Sequence, residues 1–311
     1  MSLLDRRLLV VSGKGGVGKT TVAAAIALAA ARRQRRTLVA EVAGQQRLQR
    51  LFDDVPQDLR RAEAALYPNL DALSIDPQRA LEEYLLLQLK VRVIAERLIE
   101  SRAFGYFAAA APGLRELVTL GKIWHLTEQR AAAGGYRYEL IVLDAPSTGH
   151  GVGLLHTPRA FLEIARAGRL HGEARELAAL VSDRRRTGIL LVTLAEEMPV
   201  NETIEALSRL REAGFDASAI VVNGLYPRRF SAPELKTIST TVPAGDVGRA
   251  AVRAALSAGA RRREQASELR RLARAAHLPR VELPFVFRPE IDFEAVAELA
   301  AIVGPALETL E

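Results

Sequence analysis

The stretch "SGKGGVGKTT", residues 12–21, begins where the apolar run Leu8–Val11 ends and leads straight into "VAAAIALAAA" at 22–31. Within it, Gly13-x-x-x-x-Gly18-Lys19-Thr20 satisfies the phosphate-loop pattern, in the required place between a strand and a helix. Glycines let the backbone curl so that successive N–H groups and the helix N-terminus face an anion. Lys19 is placed to reach the β- and γ-phosphates, and the Thr20 hydroxyl to ligate Mg²⁺. The candidate nucleotide-contacting residues are therefore Gly13, Lys14, Gly15, Gly16, Val17, Gly18, Lys19, Thr20 and Thr21.

Outward from the loop, short apolar runs rich in branched residues alternate with helical patterns. They are "RLLVVS" (7–12), "TLVAEV" (37–42), "LDALSI" (70–75), "YELIVLD" (138–144), "GILLVTL" (188–194), "SAIVVN" (218–223) and "RVELPF" (280–285). Continuous apolar strands separated by helices indicate a doubly wound α/β fold, a mostly parallel sheet covered on both faces. The chain reads as one phosphate-loop domain, 1–311, with an inserted helical subdomain at 77–135 and a second helical region at 228–277. Asp76-Pro77 supplies a capping carboxylate and a first-turn proline, and the helical pattern continues to about residue 101. Pro112-Gly113 breaks it, and "LRELVTLGKIWHLTEQRAAA" (114–133) resumes it.

Composition excludes several classes. No stretch of eighteen apolar residues could span a bilayer, and the apolar run starting at Leu8 is too short for a secretory core, so a cytoplasmic location is expected. The chain has no cysteine, which removes disulfides, thiolate zinc or arsenite sites and iron–sulfur clusters together. Its net charge of +6 comes from 43 basic residues, of which only Lys14, Lys19, Lys90, Lys122 and Lys236 are lysines. An arginine-dominated, alanine-rich chain is weak support for nucleic-acid binding, and none is expected.

A phosphate loop needs one lysine, and this one has two. "GKGGVGKTT" resembles the deviant Walker A loop of the dimeric switch ATPases, among them the ParA and MinD proteins, the nitrogenase iron protein, and the arsenite-pump ATPase with its tail-anchored-protein targeting relatives. In that group the early lysine crosses to the partner's phosphates, so by resemblance Lys14 implies a dimer and a catalytic role in trans. The run Asp144-Ala145-Pro146-Ser147-Thr148-Gly149-His150 looks like the switch II stretch of the arsenite-pump and tail-anchored-targeting branch. That implies Asp144 at the metal's water shell and Gly149 in a turn that senses the γ-phosphate, and it leaves the role of His150 open. "IVVNGLYP" resembles the family segment whose asparagine, here Asn223, reads adenine. "ELPFVFRPEI" resembles its adenine-pocket loop and brings in Pro284 and Glu290; "VTLAEEMPVNET" resembles a strip ending in Glu202-Thr203. The resemblance implies ATP or ADP with Mg²⁺ as cofactors.

Two departures from the family matter. Where switch I carries an aspartate that positions the attacking water, "TLVAEVAGQQRL" has Ala43, with Gly44 in place of the following proline. Positioning and electrostatics supply nearly all phosphoryl-transfer catalysis, so hydrolysis is expected to be slow while binding survives. Glu41 lies two residues earlier, on the same face of the strand. Three roles are open to it: orienting the water in place of the aspartate, standing near the metal, or carrying an inert charge. The second departure is the zinc clasp. Arg261 and Gln265 match the family's R-x-x-x-Q helix, but "ALSA" (255–258) occupies the position of its cysteine pair.

In the tail-anchored-targeting branch that the chain resembles, the inserted helices of two subunits form an apolar groove for a hydrophobic protein client. Here the insert has leucine, valine and isoleucine between Leu85 and Ile99, then Phe104, Tyr106 and Phe107, and no methionine. Packing within the protein and a client groove are both open readings. The function expected is an ATP-binding dimeric switch, not an arsenite pump, in which nucleotide-driven closure controls a helical surface. The partner is a second copy or a paralogue. One alternative is a non-catalytic subunit that closes on an active paralogue. Another is a ParA-like DNA-partitioning ATPase, against which switch II speaks.

Overall fold

The computed structural model describes residues 2–42, 47–52, 63–88, 97, 101, 113–132, 134–164 and 169–310. All seven anticipated runs are strands: β1 (Leu8–Gly13), β2 (Thr37–Val42), β4 (Leu70–Ile75), β5 (Leu140–Asp144), β6 (Thr187–Leu194), β7 (Ala219–Leu225) and β8 (Arg280–Pro284). An eighth, β3 (Ala64–Tyr67), was not expected. Its four residues form an antiparallel edge strand that the turn at Asn69 joins to β4, too short to show a period in the sequence. The sheet order is β3-β4-β2-β5-β1-β6-β7-β8, and every neighbouring pair except β3–β4 is parallel.

Among the described residues the helices are α1 (Lys19–Arg32), α2 (Arg47–Leu51), α3 (Pro77–Gln88), α4 (Leu114–Glu128), α5 (Thr148–Ile164), α6 (Arg169–Ser182), α7 (Glu197–Glu212), α8 (Ala232–Thr240), α9 (Gly245–Ala275) and α10 (Phe293–Glu308). Because successive side chains on a strand point to opposite faces, β1 feeds two cores. Leu8 and Val10 pack under α3 to α7, while Leu9 and Val11 pack under α1, α2 and α10. The alanine-rich α1 is buried on every side from Val22 to Ala31, as an apolar helix without a polar face must be. Small residues allow that burial: a Cβ on Gly304 of α10 would lie 2.9 Å from Cβ of Ala29.

The start of α3 follows the sequence reading, with Gln78 N–H donating to Asp76 Oδ1 at 2.9 Å. The rest of that predicted helix, together with Phe104, Tyr106, Phe107 and Pro112, lies largely outside the described residues. One helical expectation is corrected. The pattern at 114–133 stops at Glu128, and Gln129 turns extended. Gly134 and Gly135 adopt positive φ and fold the chain back, so that Arg130 bridges Tyr136 and stacks its guanidinium 3.8 Å over that ring. The alanines' helix propensity yields to the need to deliver β5. Among the described residues, no helix is long and apolar enough to cross a membrane.

Candidate functional site

The carboxyl ends of β1, β2 and β5 open into a cavity of about 570 Å³, where an open parallel sheet places its ligands. The loop after β1 forms one wall. Gly13, at φ 151°, sits so close to β6 that an added Cβ would lie 2.2 Å from the Val192 carbonyl oxygen. Gly18, at φ 87°, caps α1 in the left-handed region, which a side chain would strain. Gly15, Gly16 and Gly18, with Lys19, Thr20 and Thr21 of the first turn of α1, line the cavity, while Val17 turns inward and is buried. Lys19 Nζ donates to the Lys14 carbonyl at 2.8 Å, which holds the loop curled.

Asp144 ends β5 on the opposite wall. The Thr20 hydroxyl donates to its Oδ2 at 2.6 Å, so a hydroxyl and a carboxylate stand side by side below the loop. Mg²⁺ prefers oxygen ligands, uses one or two protein groups and takes the rest from phosphate and water. The pair fits that need. Among the described residues no three His, Cys, Asp or Glu side chains converge on a self-sufficient metal site.

Glu41 is the register partner of Asp144 across β2 and β5, is buried, and lines the same cavity. Its Oε2 also accepts from Leu48 N–H at 3.2 Å and so anchors the start of α2. Ala43 and Gly44 lie outside the described residues. Gly149 falls in the first turn of α5, and the side chain of His150 lies outside the described residues.

Lys14 does not line the cavity. Its ammonium pairs with Glu202 Oε1 of α7 at 2.6 Å, with about a third of each side chain exposed. The sequence pointed to Glu202 only as part of a strip, and nothing in the spacing links it to Lys14.

Asn223 and Pro284 also stand apart from the phosphate cavity, at the ends of β7 and β8. Asn223 Nδ2 donates to the Val17 carbonyl at 3.0 Å and its Oδ1 accepts from Gly224 N–H at 2.9 Å, so the side chain clips the phosphate loop to β7. Pro284 pairs with Leu225 in register. Beside it, Tyr226, Phe285 and Phe287 form an aromatic cluster with centroids 4.8 to 5.6 Å apart. Gln265 braces this end of β7 by accepting from Tyr226 N–H at 2.9 Å and donating to the Gly224 carbonyl at 3.0 Å. Arg261 donates to the Tyr226 hydroxyl at 2.5 Å.

One residue at the cavity escaped the sequence reading altogether. Arg50 of α2 lines it beside Lys19, Thr20 and Asp144. An isolated arginine in a short helix gives no pattern that would single it out.

The chain is similar to known ATPases. Residues 6–178 and 164–237 match the model of the anion-transporting ATPase family. The chain is 32% identical to "ATPase BagA" of Mycobacterium tuberculosis (strain H37Rv), over 94% of this chain and 91% of that protein. It is 28% identical to a "Putative arsenical pump-driving ATPase" of Halobacterium salinarum, over 73% of this chain and 36% of that protein. It is 25% identical to "ATPase GET3" of Chaetomium globosum, over 73% of this chain and 76% of that protein.

Proposed function

The chain belongs to the anion-transporting ATPase family, and from that premise we propose that it is an ATP-binding switch that dimerises through its nucleotide and turns it over slowly. The observation that carries the reading is the cavity in which Lys19, Thr20 and Asp144 converge under a curled glycine loop. Mg²⁺ would be held by Thr20 and through the carboxylate of Asp144, where it would neutralise charge on the phosphates. The loop N–H groups and Lys19 bind the phosphates, and Asn223 faces the base.

Lys14 supports the dimeric part of the proposal, because it points away from its own cavity to a partly exposed partner on α7. A lysine held at the rim by one surface carboxylate is available to a second subunit at little cost, since such pairs contribute at most about 1 kcal/mol. With Ala43 in the switch I position, no side chain is assigned to orient the attacking water. Cysteine is absent, so arsenite has no thiolate ligands here and the proposal excludes an arsenite pump. The helices of 77–135 would be the surface that nucleotide-driven closure reshapes, for a hydrophobic client or a partner subunit.

The test is phosphate release with Mg²⁺ and ATP for the wild type, Lys19→Ala and Ala43→Asp, with light scattering on each. Slow release that Lys19→Ala abolishes and Ala43→Asp accelerates, together with an ATP-dependent dimer, is the expected result. No nucleotide binding, or a monomer with and without ATP, would overturn the proposal.

A further inference from the structure

A second cavity, of about 270 Å³, lies between the loop after β7 and the helices α8 and α9. Arg228 and Arg229 of the loop and Arg262 and Arg263 of α9 line it, with Phe230 and Leu235 on its apolar side. Four arginines around so small a volume concentrate positive charge there, which favours an anion among them. Elsewhere along α9 the chain provides that counter-charge. Arg249 pairs with Asp246, and Arg271 pairs with Glu268 at 2.6 Å.

No such carboxylate serves the four arginines of the cavity among the described residues. Glu264, which follows Arg263 in the chain, is exposed and does not line the cavity, and Glu234 is engaged in capping α8, where it accepts from Ser231 N–H at 2.6 Å and from the Ser231 hydroxyl at 2.7 Å. Arg229 instead lies over the Phe287 ring at 5.0 Å. Arg262 is the telling case: its Nη1 is buried and makes no hydrogen bond. A buried charged donor left unsatisfied costs more than a neutral one, and native proteins rarely leave it so.

We propose that this cavity is a binding site for a small multivalent oxyanion of the phosphate or pyrophosphate class, held chiefly by Arg262 and Arg228. The forked guanidinium gives bidentate bonds to the oxygens of such an anion, and several forks together favour one with more than a single charge. The site is separate from the nucleotide cavity. None of the residues that line it lines the nucleotide cavity.

The experiment is titration of inorganic pyrophosphate, by calorimetry, into the full chain with its nucleotide site saturated by Mg·ADP. The variants are Arg262→Gln, Arg228→Gln, Lys19→Ala, and Arg211→Gln as a remote control on an exposed face of α7. One equivalent should bind to the wild type and equally to Lys19→Ala and Arg211→Gln. Loss of a charge-assisted bond should weaken it about ten-fold or more in Arg262→Gln and in Arg228→Gln, each with an unchanged melting temperature. Three results would each overturn the proposal: no binding to the wild type, loss of binding in Lys19→Ala, or equal weakening in Arg211→Gln. The second would tie the binding to the nucleotide site rather than to this cavity, and the third would reduce it to attraction by net charge.

Discussion

Replacing Asn223 by alanine separates two jobs that one amide can do. The side chain carries two donor hydrogens and two acceptor lone pairs. It spends one donor on the Val17 carbonyl and one lone pair on Gly224 N–H. One donor and one lone pair are left, the complement of the N7 acceptor and N6 donor of adenine. Guanine offers an oxygen where adenine offers the amino group, so it would meet the amide oxygen with a second acceptor. A bidentate pair of this kind discriminates by about 1–3 kcal/mol, which is roughly 5- to 150-fold in favour of ATP over GTP. Asn223→Ala should bring that ratio close to one. It should also remove two internal hydrogen bonds, at about 0.5–1.5 kcal/mol each. With about 2.1 cal/mol/K of unfolding entropy per residue, a chain of 311 residues would melt about 2–5 °C lower without nucleotide. Fluorescence titration with Mg·ATP and Mg·GTP, beside a melting curve, measures both. Equal weakening for both nucleotides with selectivity intact would refute the base contact and leave Asn223 as a clip on the loop.

Three further outcomes follow from individual contacts in the structure. Glu202→Gln removes the cis partner of Lys14 at 2.6 Å; for so exposed a pair the gain in ATP-dependent dimer should be up to about five-fold at low salt and smaller at high salt. Sedimentation checks this, and a fall in dimer would mean that Glu202 serves the closed state. Arg50→Ala should weaken ATP about ten-fold and ADP less, as expected if the guanidinium meets the terminal phosphate; equal losses would refute that contact. Asp292 caps α10 by accepting from Ala295 N–H at 2.8 Å, and that bond, with Arg288 nearby, holds its carboxyl below the ordinary range. A pKa lower in the folded state means stability present above the unfolded value of about 3.9 and lost as pH falls through the folded one. The melting temperature of Asp292→Ala should therefore lie below wild type at pH 7 and converge with it in acid, and a constant gap down to about pH 2 would refute the cap as the cause.

The architecture was legible because each parallel strand carries its own apolar run and the phosphate loop fixes which strand comes first. β3 was not legible, since four edge residues have neither period nor apolar continuity. The helical stop at Glu128 was hidden because "QRAAA" favours a helix locally and is overruled by the turn at Gly134 and Gly135. The site divides in the same way. Motif residues that act through the backbone or through one fixed spacing, such as Lys19, Thr20 and Asp144, could be named in advance. Contacts made only by folding could not be read, even where the residue had been named: Glu202 meets Lys14 from α7, Gln265 braces β7 from a helix forty residues later, and Arg50, not named at all, reaches the cavity from a helix of five residues.

Glu41 shows why that last group matters to the proposed switch. It stands in register with Asp144, so two carboxylates share the floor of one cavity. Their repulsion falls when a metal and its phosphates arrive with opposite charge and ordered oxygens. Glu41 is also tied to Leu48, two residues before Arg50 on the same short helix. A ligand that draws on Asp144 and Arg50 therefore acts on both ends of one mechanical link, from the strand through Glu41 to α2. Such a link needs differential contact with the bound ligand, not cleavage of it, to shift the population of a closed state. On the proposed reading, loss of the water-positioning aspartate at residue 43 leaves the switch its trigger and slows only its reset.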